Sequence, residues 1–462
     1  MPGWRERLYA RLAEQPVPLL VLPDALWTAA SLWAGARQWT RALRAAGLAR
    51  GDRVVCALPA GAAFVQLLVA ALWDGYTLAV TSPRDLRGAQ GPTLLAALDA
   101  RLLVSDDGHT IAHGARPGSA GWPDTPLPPL RPPLGDTTSD ACLLLRTSGT
   151  GGAPHWVALS DTNVFSVLDS HATLRAQRGA CVLSVVPWHH AFGLVLGLLS
   201  ALLDADDIVR DGTDGRNLPA LLDLADAHPI THVDLVPLLA SRLFADPRGA
   251  ALLHRVQGGT VGGAPVSSEL AARLAETRLR VGYGQTEAAP GVALGAAGEW
   301  SPRFIGRAVG CEVRIDDDGV LAFRGPNACM GAWRNGVLQR LDPARWVSTG
   351  DVVEPLAGGA FRYVGRAADT FKLPNGCAVD APRAEDSIRR AWPMVREVLV
   401  HQADGDGFDV LLSGDARLPD VSALRATLGS MGRYLARVRV VDDAQWRRTP
   451  KGDVDRRAPL VD

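Results

Sequence analysis

The chain has no excess of charge of either sign, no apolar run long enough to cross a bilayer and no cysteine pair at ligand spacing, and each absence removes a class of function. With 48 basic and 49 acidic side chains the formal net charge is −1, which leaves no electrostatic footprint for nucleic acid or an anionic membrane. Among the longest apolar stretches is "FGLVLGLLSALL" at 192–203, short of the roughly 20 residues a spanning helix needs. No membrane span is expected. Residues 1–20 interleave Arg5, Glu6, Arg7, Arg11 and Glu14 with apolar residues, instead of a basic start before an apolar core, so no secretory signal is visible. The six cysteines, at 56, 142, 181, 311, 329 and 377, are scattered without a CxxC. That argues against a structural zinc and fits a reducing, cytoplasmic setting.

What is present is apolar bulk and alternating pattern. At 462 residues, 47% of them hydrophobic, the chain exceeds the size at which a single core stops growing, so two or more domains are expected. "LWTAASLWAGARQWTRALRAAGL" has helical apolar spacing and "GDRVVCAL" reads as a buried strand; "GAAFVQLLVAALWDG" is a second helix and "TLAVTSP" a second strand. Repeated alternation of this kind predicts an α/β protein with helices layered on mostly parallel sheets. Residues 105–140 are rich in proline and glycine and read as a surface connection. Further strands are predicted at 141–145, 181–187, 231–237 and 278–284. After about residue 305 the pattern turns to β-hairpins, "CEVRIDDDGVLAFRG" and "VSTGDVVEPLAGGAFRYVGR", predicting a β-rich subdomain. From Gly365 onward a helix, a hairpin, a helix and a strand would make a small α+β unit. The expected division is therefore 1–364 and 365–462.

Six stretches could carry chemistry. Behind the strand at 141–145 runs Thr147-Ser148-Gly149-Thr150-Gly151-Gly152, small and hydroxyl residues whose backbone N–H groups can converge on a phosphate. The lysine signature of P-loop enzymes is missing, since Pro154 and His155 follow. A kinase-like transferase is disfavoured. In "PWHHAFG" (187–193), neighbouring histidines on an extended chain point to opposite sides and lack further ligands, so His189 or His190 as a pocket wall is preferred to a metal site. "GGAP" (262–265) and "GYGQTEAAP" (282–290) each follow a strand, where ligands enter open α/β sheets. Glu287 offers a hard oxygen ligand for Mg²⁺, although an isolated loop carboxylate is more often simply solvated. In "STGD" (348–351), Asp351 could accept two hydrogen bonds from a ribose diol, or merely cap a turn. "RTPKGDVDRR" (448–457) is a basic turn that reads as a solvated tail or a cationic arm.

In this order and spacing the six stretches resemble the adenylate-forming superfamily, which includes acyl- and aryl-CoA synthetases, peptide-synthetase adenylation domains and firefly luciferase. The resemblance implies a large N-terminal AMP-binding domain and a small mobile C-terminal domain. It also implies two steps: a carboxylate attacks the α-phosphorus of ATP to give acyl-AMP and pyrophosphate, and a thiol then displaces AMP. The implied co-substrates are ATP with Mg²⁺, a small carboxylic acid, and coenzyme A or the phosphopantetheine of an acyl carrier protein.

Carried over position by position, Thr147, Ser148, Gly149, Thr150, Gly151 and Gly152 would cradle the β- and γ-phosphates. Gly262, Gly263 and Ala264 would wall the adenine site, with Tyr283 stacking on the base and Gly284 and Gln285 completing the nucleotide stretch. Thr286 would touch the α-phosphate, Glu287 would hold Mg²⁺, and Asp351 and Arg366 would take the ribose hydroxyls. His190 stands where the superfamily has an aromatic or histidine residue beside the acyl carboxylate.

Four departures stand against the pattern. Gly151, His155 and Trp156 occupy the places of a threonine, a lysine and a glycine. Ala368 stands at the usual hinge aspartate, with Asp369 next to it. Asp453 takes the place of the C-terminal lysine that reaches the acyl carboxylate and α-phosphate, leaving Lys451 two residues earlier as its substitute. "FKLPNGCAV" is one residue longer than the common form between Lys372 and Gly376. The expected activity is an AMP-forming acid–thiol ligase for an aryl or aliphatic acid, because no aspartate lies between Val186 and Leu203 to hold an α-ammonium group. The alternatives are a member that stops at the adenylate and a nucleotide-binding scaffold without catalysis.

Overall fold

The structure is a computed structural model. It describes residues 4–14, 18–86, 97–105, 110–112, 141–147, 155–174, 179–334, 337–374, 377–403, 407–414, 418–448, 454–456 and 459–460. The strands Arg53–Ala57, Thr77–Val80, Leu102–Ser105 and Ala141–Arg146 are aliphatic runs buried along most of their length. Such strands need cover on both faces and so favour parallel pairing under crossover helices. They pair in parallel in the spatial order 141, 77, 53, 102. Between the strands at 53 and 77 runs the Ala62–Asp74 helix, apolar around most of its circumference and ended by Gly75 in the left-handed region. The Ala29–Ala45 helix covers it with the buried stripe Leu32, Ala36, Thr40 and Leu43.

Its beginning differs from the sequence expectation. Apolar spacing starts the helix near Leu26, but Ala25–Thr28 pairs as a strand with Pro18–Leu22. Thr28 caps the helix by accepting from the Ser31 N–H at 3.1 Å. On its other side the first sheet gains Trp156–Ser160, Gly331–Arg334 and Val337–Arg340 in antiparallel pairing, eight strands in all among the described residues.

A five-stranded sheet carries His232–Val233, Cys181–Ser184, Asp207–Arg210 and Pro18–Leu22 in parallel. A third sheet begins with the parallel pair Thr260–Gly262 and Arg280–Tyr283. It continues antiparallel through Ala293–Leu294, Phe304–Ala308, Ala360–Arg366, Val347–Pro355, Val320–Arg324 and Glu312–Ile315. The two predicted hairpins are thus one surface, joined where Val320 pairs with Val352. Asn163 ties this sheet to the first. It closes a capping box with Ser160 and donates its amide to the Pro326 and Ala328 carbonyls at 2.8 and 2.7 Å.

Beyond residue 366 the chain forms a smaller α+β part. Val395–Gln402 and Phe408–Gly414 make the hairpin, Leu435–Val440 adds in parallel, and the helices Ala381–Ala391 and Val421–Thr427 cover them. A separate core of Val379, Ile388, Val398, Val410, Leu412 and Leu424 holds it. The fold is α/β with a β-rich third sheet and a smaller C-terminal α+β part, as the pattern predicts.

Candidate functional site

The parallel strands Thr260–Gly262 and Arg280–Tyr283 end side by side, with Gly262 in register with Gly282. Carboxyl ends of parallel strands leave a crevice where the following loops part. Here a cavity of about 410 Å³, counting its open mouth, is lined by Gly262, Gly263, Tyr283 and Gly284 on the strand side. The rest of the lining comes from His171 and Leu174, from Phe192 and Leu196, and from Pro290, Gly291, Ala293 and Leu294. The loop after Tyr283 folds back so closely that a side chain at Gly284 would meet the Pro290 carbonyl at 1.6 Å, which leaves glycine alone able to occupy that position. Phe192–Leu199 is wound as a π-helix, a form concentrated at functional sites, and it turns Phe192 and Leu196 toward the cavity.

Tyr283 connects the cavity to a polar cluster. Its hydroxyl donates to Asp351 Oδ2 at 2.6 Å, and Arg366 Nε lies 2.9 Å from Asp351 Oδ1. The cross-strand pairing of Asp351 with Arg366 sets this geometry. Asp351 is only 5% exposed. Its N–H donates to Thr349 Oγ1 at 3.0 Å, and Arg366 also donates to the Thr349 carbonyl at 3.0 Å. Burial, reinforced by the Asp351 charge, pushes the Tyr283 phenol well above its ordinary value, so the phenol stays a proton donor.

On the other side of the loop, Thr286–Ala288 makes a single 3₁₀ turn. Its Glu287 carbonyl accepts from the Cys329 N–H at 2.8 Å, and its carboxylate Oε1 lies 3.5 Å from His155 Nε2. His155 in turn faces Thr147, with Nδ1 to Oγ1 at 3.3 Å and the Thr147 N–H donating to the His155 carbonyl at 3.0 Å. Thr147 and His155 are therefore paired with each other, and His155 lies beside Glu287.

Of the sequence-derived candidates, Gly262, Gly263, Tyr283 and Gly284 share the cavity wall. Asp351 and Arg366 adjoin it through Tyr283. Ala264, Gln285 and Thr286 are partly buried on the same two loops. His190 is exposed, its ring 4.3 Å from that of His189, at the start of the π-helix and outside the cavity lining. Ser148, Gly149, Thr150, Gly151, Gly152, Lys451 and Asp453 lie outside the described residues.

Trp156, which replaces a loop glycine in the resemblance, is a core residue. It is 3% exposed on its strand and packs in the cluster with Leu144 and Trp333. Asp369 meets Arg456 Nε at 3.3 Å. Phe192 and Leu196 belong to the apolar stretch "PWHHAFGLVLGLL", which with the small residues near 288–295 reads from the sequence as an apolar acid pocket, whereas His171 and Leu174 line the cavity without having been singled out. Among the described residues no three His, Cys, Asp or Glu side chains gather as a metal centre, and no helix is long and apolar enough to cross a membrane.

The sequence pattern of the AMP-binding enzymes matches residues 13–333 of this chain. The chain belongs to that family. Similar proteins include a feruloyl-CoA synthase from an Amycolatopsis species, 30% identical over 361 residues and covering 71% of each chain. An anthranilate–CoA ligase from Pseudomonas aeruginosa is 28% identical over 76% of this chain and 73% of its own. ATP-bound MatB from Rhodopseudomonas palustris has the same fold, with a TM-score of 0.74, 21% identity and 97% coverage of both chains. The family match and the coenzyme A ligases among its relatives together make the protein an AMP-forming acid–thiol ligase, which uses ATP to activate a carboxylic acid.

Proposed function

We propose that the protein converts an aryl or aliphatic carboxylic acid, other than an α-amino acid, to its acyl adenylate and passes the acyl group to the thiol of coenzyme A. The observation that carries this reading is the shared wall. Tyr283 and Gly284 close the apolar cavity, and the Tyr283 hydroxyl ends on the Asp351–Arg366 pair. An acid in the cavity and a nucleotide whose ribose reaches Asp351 would meet across the Thr286–Ala288 turn. The apolar lining suits an uncharged acyl group with its carboxylate at the mouth.

In this reading Gly262, Gly263 and Ala264 flank the adenine and Tyr283 lies against it. Asp351 accepts from the ribose diol while Arg366 holds that carboxylate in place. Thr286 faces the α-phosphate, and residues 147–152 take the outer phosphates. His190 stands near the acyl carboxylate, and Lys451 supplies the cation that Asp453 cannot. Catalysis of the first step is then positioning plus charge stabilisation at the phosphate oxygens. The carboxylate of Glu287, 27% exposed and beside His155, fits Mg²⁺, which takes one or two carboxylates together with substrate phosphates and water. When bound, such an ion neutralises charge on the departing pyrophosphate. Residues 1–364 act as the nucleotide and acid domain and 365–462 as the mobile C-terminal domain.

Incubation of the protein with ATP, Mg²⁺, coenzyme A and a panel of aryl and aliphatic acids tests the reading. Acyl-CoA and AMP formed in equal amounts support it. AMP without thioester would assign a different acceptor, and ADP in place of AMP would end the proposal.

A further inference from the structure

The cavity is apolar except at a few points, and two of these, Thr260 and His171, have an unused hydrogen-bonding atom. The Thr260 N–H donates to Asp234 at 3.0 Å while its buried Oγ1 has no partner among the described residues, and the Tyr283 hydroxyl is taken by Asp351. His171, 2% exposed, lines the cavity. It sits at the end of the Asp161–Ser170 helix, where Ser170 Oγ lies 3.0 Å from His171 Nδ1. The Ser170 hydroxyl directs its own proton to the Val167 carbonyl at 3.4 Å. Its oxygen is then left to accept, so Nδ1 carries the imidazole proton. Nε2 keeps a lone pair and has no hydrogen-bond partner among the described residues. Burial lowers the His171 pKa to about 4, so the ring is neutral near pH 7 and the lone pair is available.

Gly291 gives the ring its place. A side chain there would lie 2.2 Å from His171 Cε1 and 2.5 Å from Nε2. The Cε1–Nε2 side of the ring therefore packs against Gly291, which lines the cavity with it.

We propose that His171 Nε2 selects acids whose end remote from the carboxylate carries a hydrogen-bond donor, namely hydroxyl-substituted aryl acids. This rests on the assignment of the cavity to the acid. A buried acceptor left unpaired costs free energy that a hydroxyl recovers and a bare or O-methylated ring does not. His171 is a specificity residue: it touches the remote end of the substrate and not the reacting atoms.

The test is equilibrium binding of three sulfamoyl-adenosine analogues of the acyl adenylate, carrying cinnamoyl, 4-hydroxycinnamoyl and 4-methoxycinnamoyl groups, to the wild-type protein. The hydroxylated probe should bind about tenfold more tightly than the other two. In H171F, and in H171L as a second variant against misfolding, that ratio should fall toward one. Equal binding of all three by the wild type, preference for the methoxy probe, or a hydroxyl preference that survives in both variants would overturn the proposal. Because binding is read without turnover, hydroxyl selectivity together with no acid-dependent adenylation would sink the proposed activity and leave the role of His171 standing.

Discussion

The Tyr283 hydroxyl donates to Asp351 at 2.6 Å while Arg366 holds the other oxygen of the same carboxylate at 2.9 Å. The group assigned to the ribose is thus oriented before any nucleotide arrives. Asp351→Ala should raise the KM for ATP by about 10- to 100-fold, the scale of losing hydrogen bonds to a charged acceptor. Tyr283→Phe, which frees the carboxylate but keeps the ring, should do less. Initial rates against ATP concentration at saturating acid check both. An unchanged ATP KM in Asp351→Ala would detach that residue from the nucleotide.

Buried His171 also predicts a pH dependence of stability. Its pKa is lowered to about 4 in the folded protein, against roughly 6.5 when unfolded. Between those values the unfolded chain binds the extra proton, so stability falls as pH drops from about 6.5 to about 4 and the contribution is constant on either side. The loss is on the order of 3 kcal/mol at most. Urea denaturation across that window should give a steeper fall for the wild type than for His171→Phe. Parallel curves would mean that the imidazole takes up its proton in the folded state as readily as in the unfolded one.

Arg456 fastens the C-terminal segment to the smaller unit. It lies 2.7 Å from Glu385, a 4% exposed carboxylate, and 3.3 Å from Asp369. Arg456→Ala leaves Glu385 with Arg389 at 3.6 Å and the Val400 N–H at 2.9 Å, so the expected destabilisation is about 1–3 kcal/mol. Hydrogen exchange should show it as earlier opening of residues 381–402 than of the first sheet. Uniform loosening of the whole chain would contradict this local role.

The chain contains two lysines, Lys372 and Lys451. If Lys451 stands in for the cation displaced by Asp453, Lys451→Ala should lower the adenylation rate about a hundredfold, as for loss of one transition-state donor, with ATP binding retained. Single-turnover formation of acyl-AMP measures this step by itself. A full rate in the variant would remove Lys451 from the chemistry.

The fold was legible where burial leaves a pattern in the sequence. The aliphatic run of Arg53–Ala57 and the continuous apolar helix Ala62–Asp74 allow few other placements, and the hairpin turn between Ile315 and Val320 marks itself with Asp318 and Gly319. Boundaries set by side-chain caps were less legible, and Thr28 moved one helix start. Tyr283, Asp351 and Arg366 could be named from motif order, but their mutual contact depends on cross-strand register, which no single stretch encodes. His171 left no trace in the pattern. A lone histidine at a helix end becomes a cavity wall only because Gly291, 120 residues later, makes room for it.

Acid-dependent exchange of labelled pyrophosphate into ATP tests the central claim most directly. The assay needs Mg²⁺ and a panel of benzoic, cinnamic, short- and medium-chain acids alongside amino acids. Exchange driven by aryl or aliphatic acids and not by amino acids, and lost in Asp351→Ala, is the predicted result. No exchange with any acid, in a protein that still binds AMP, would contradict the account and leave a nucleotide-binding scaffold without adenylation.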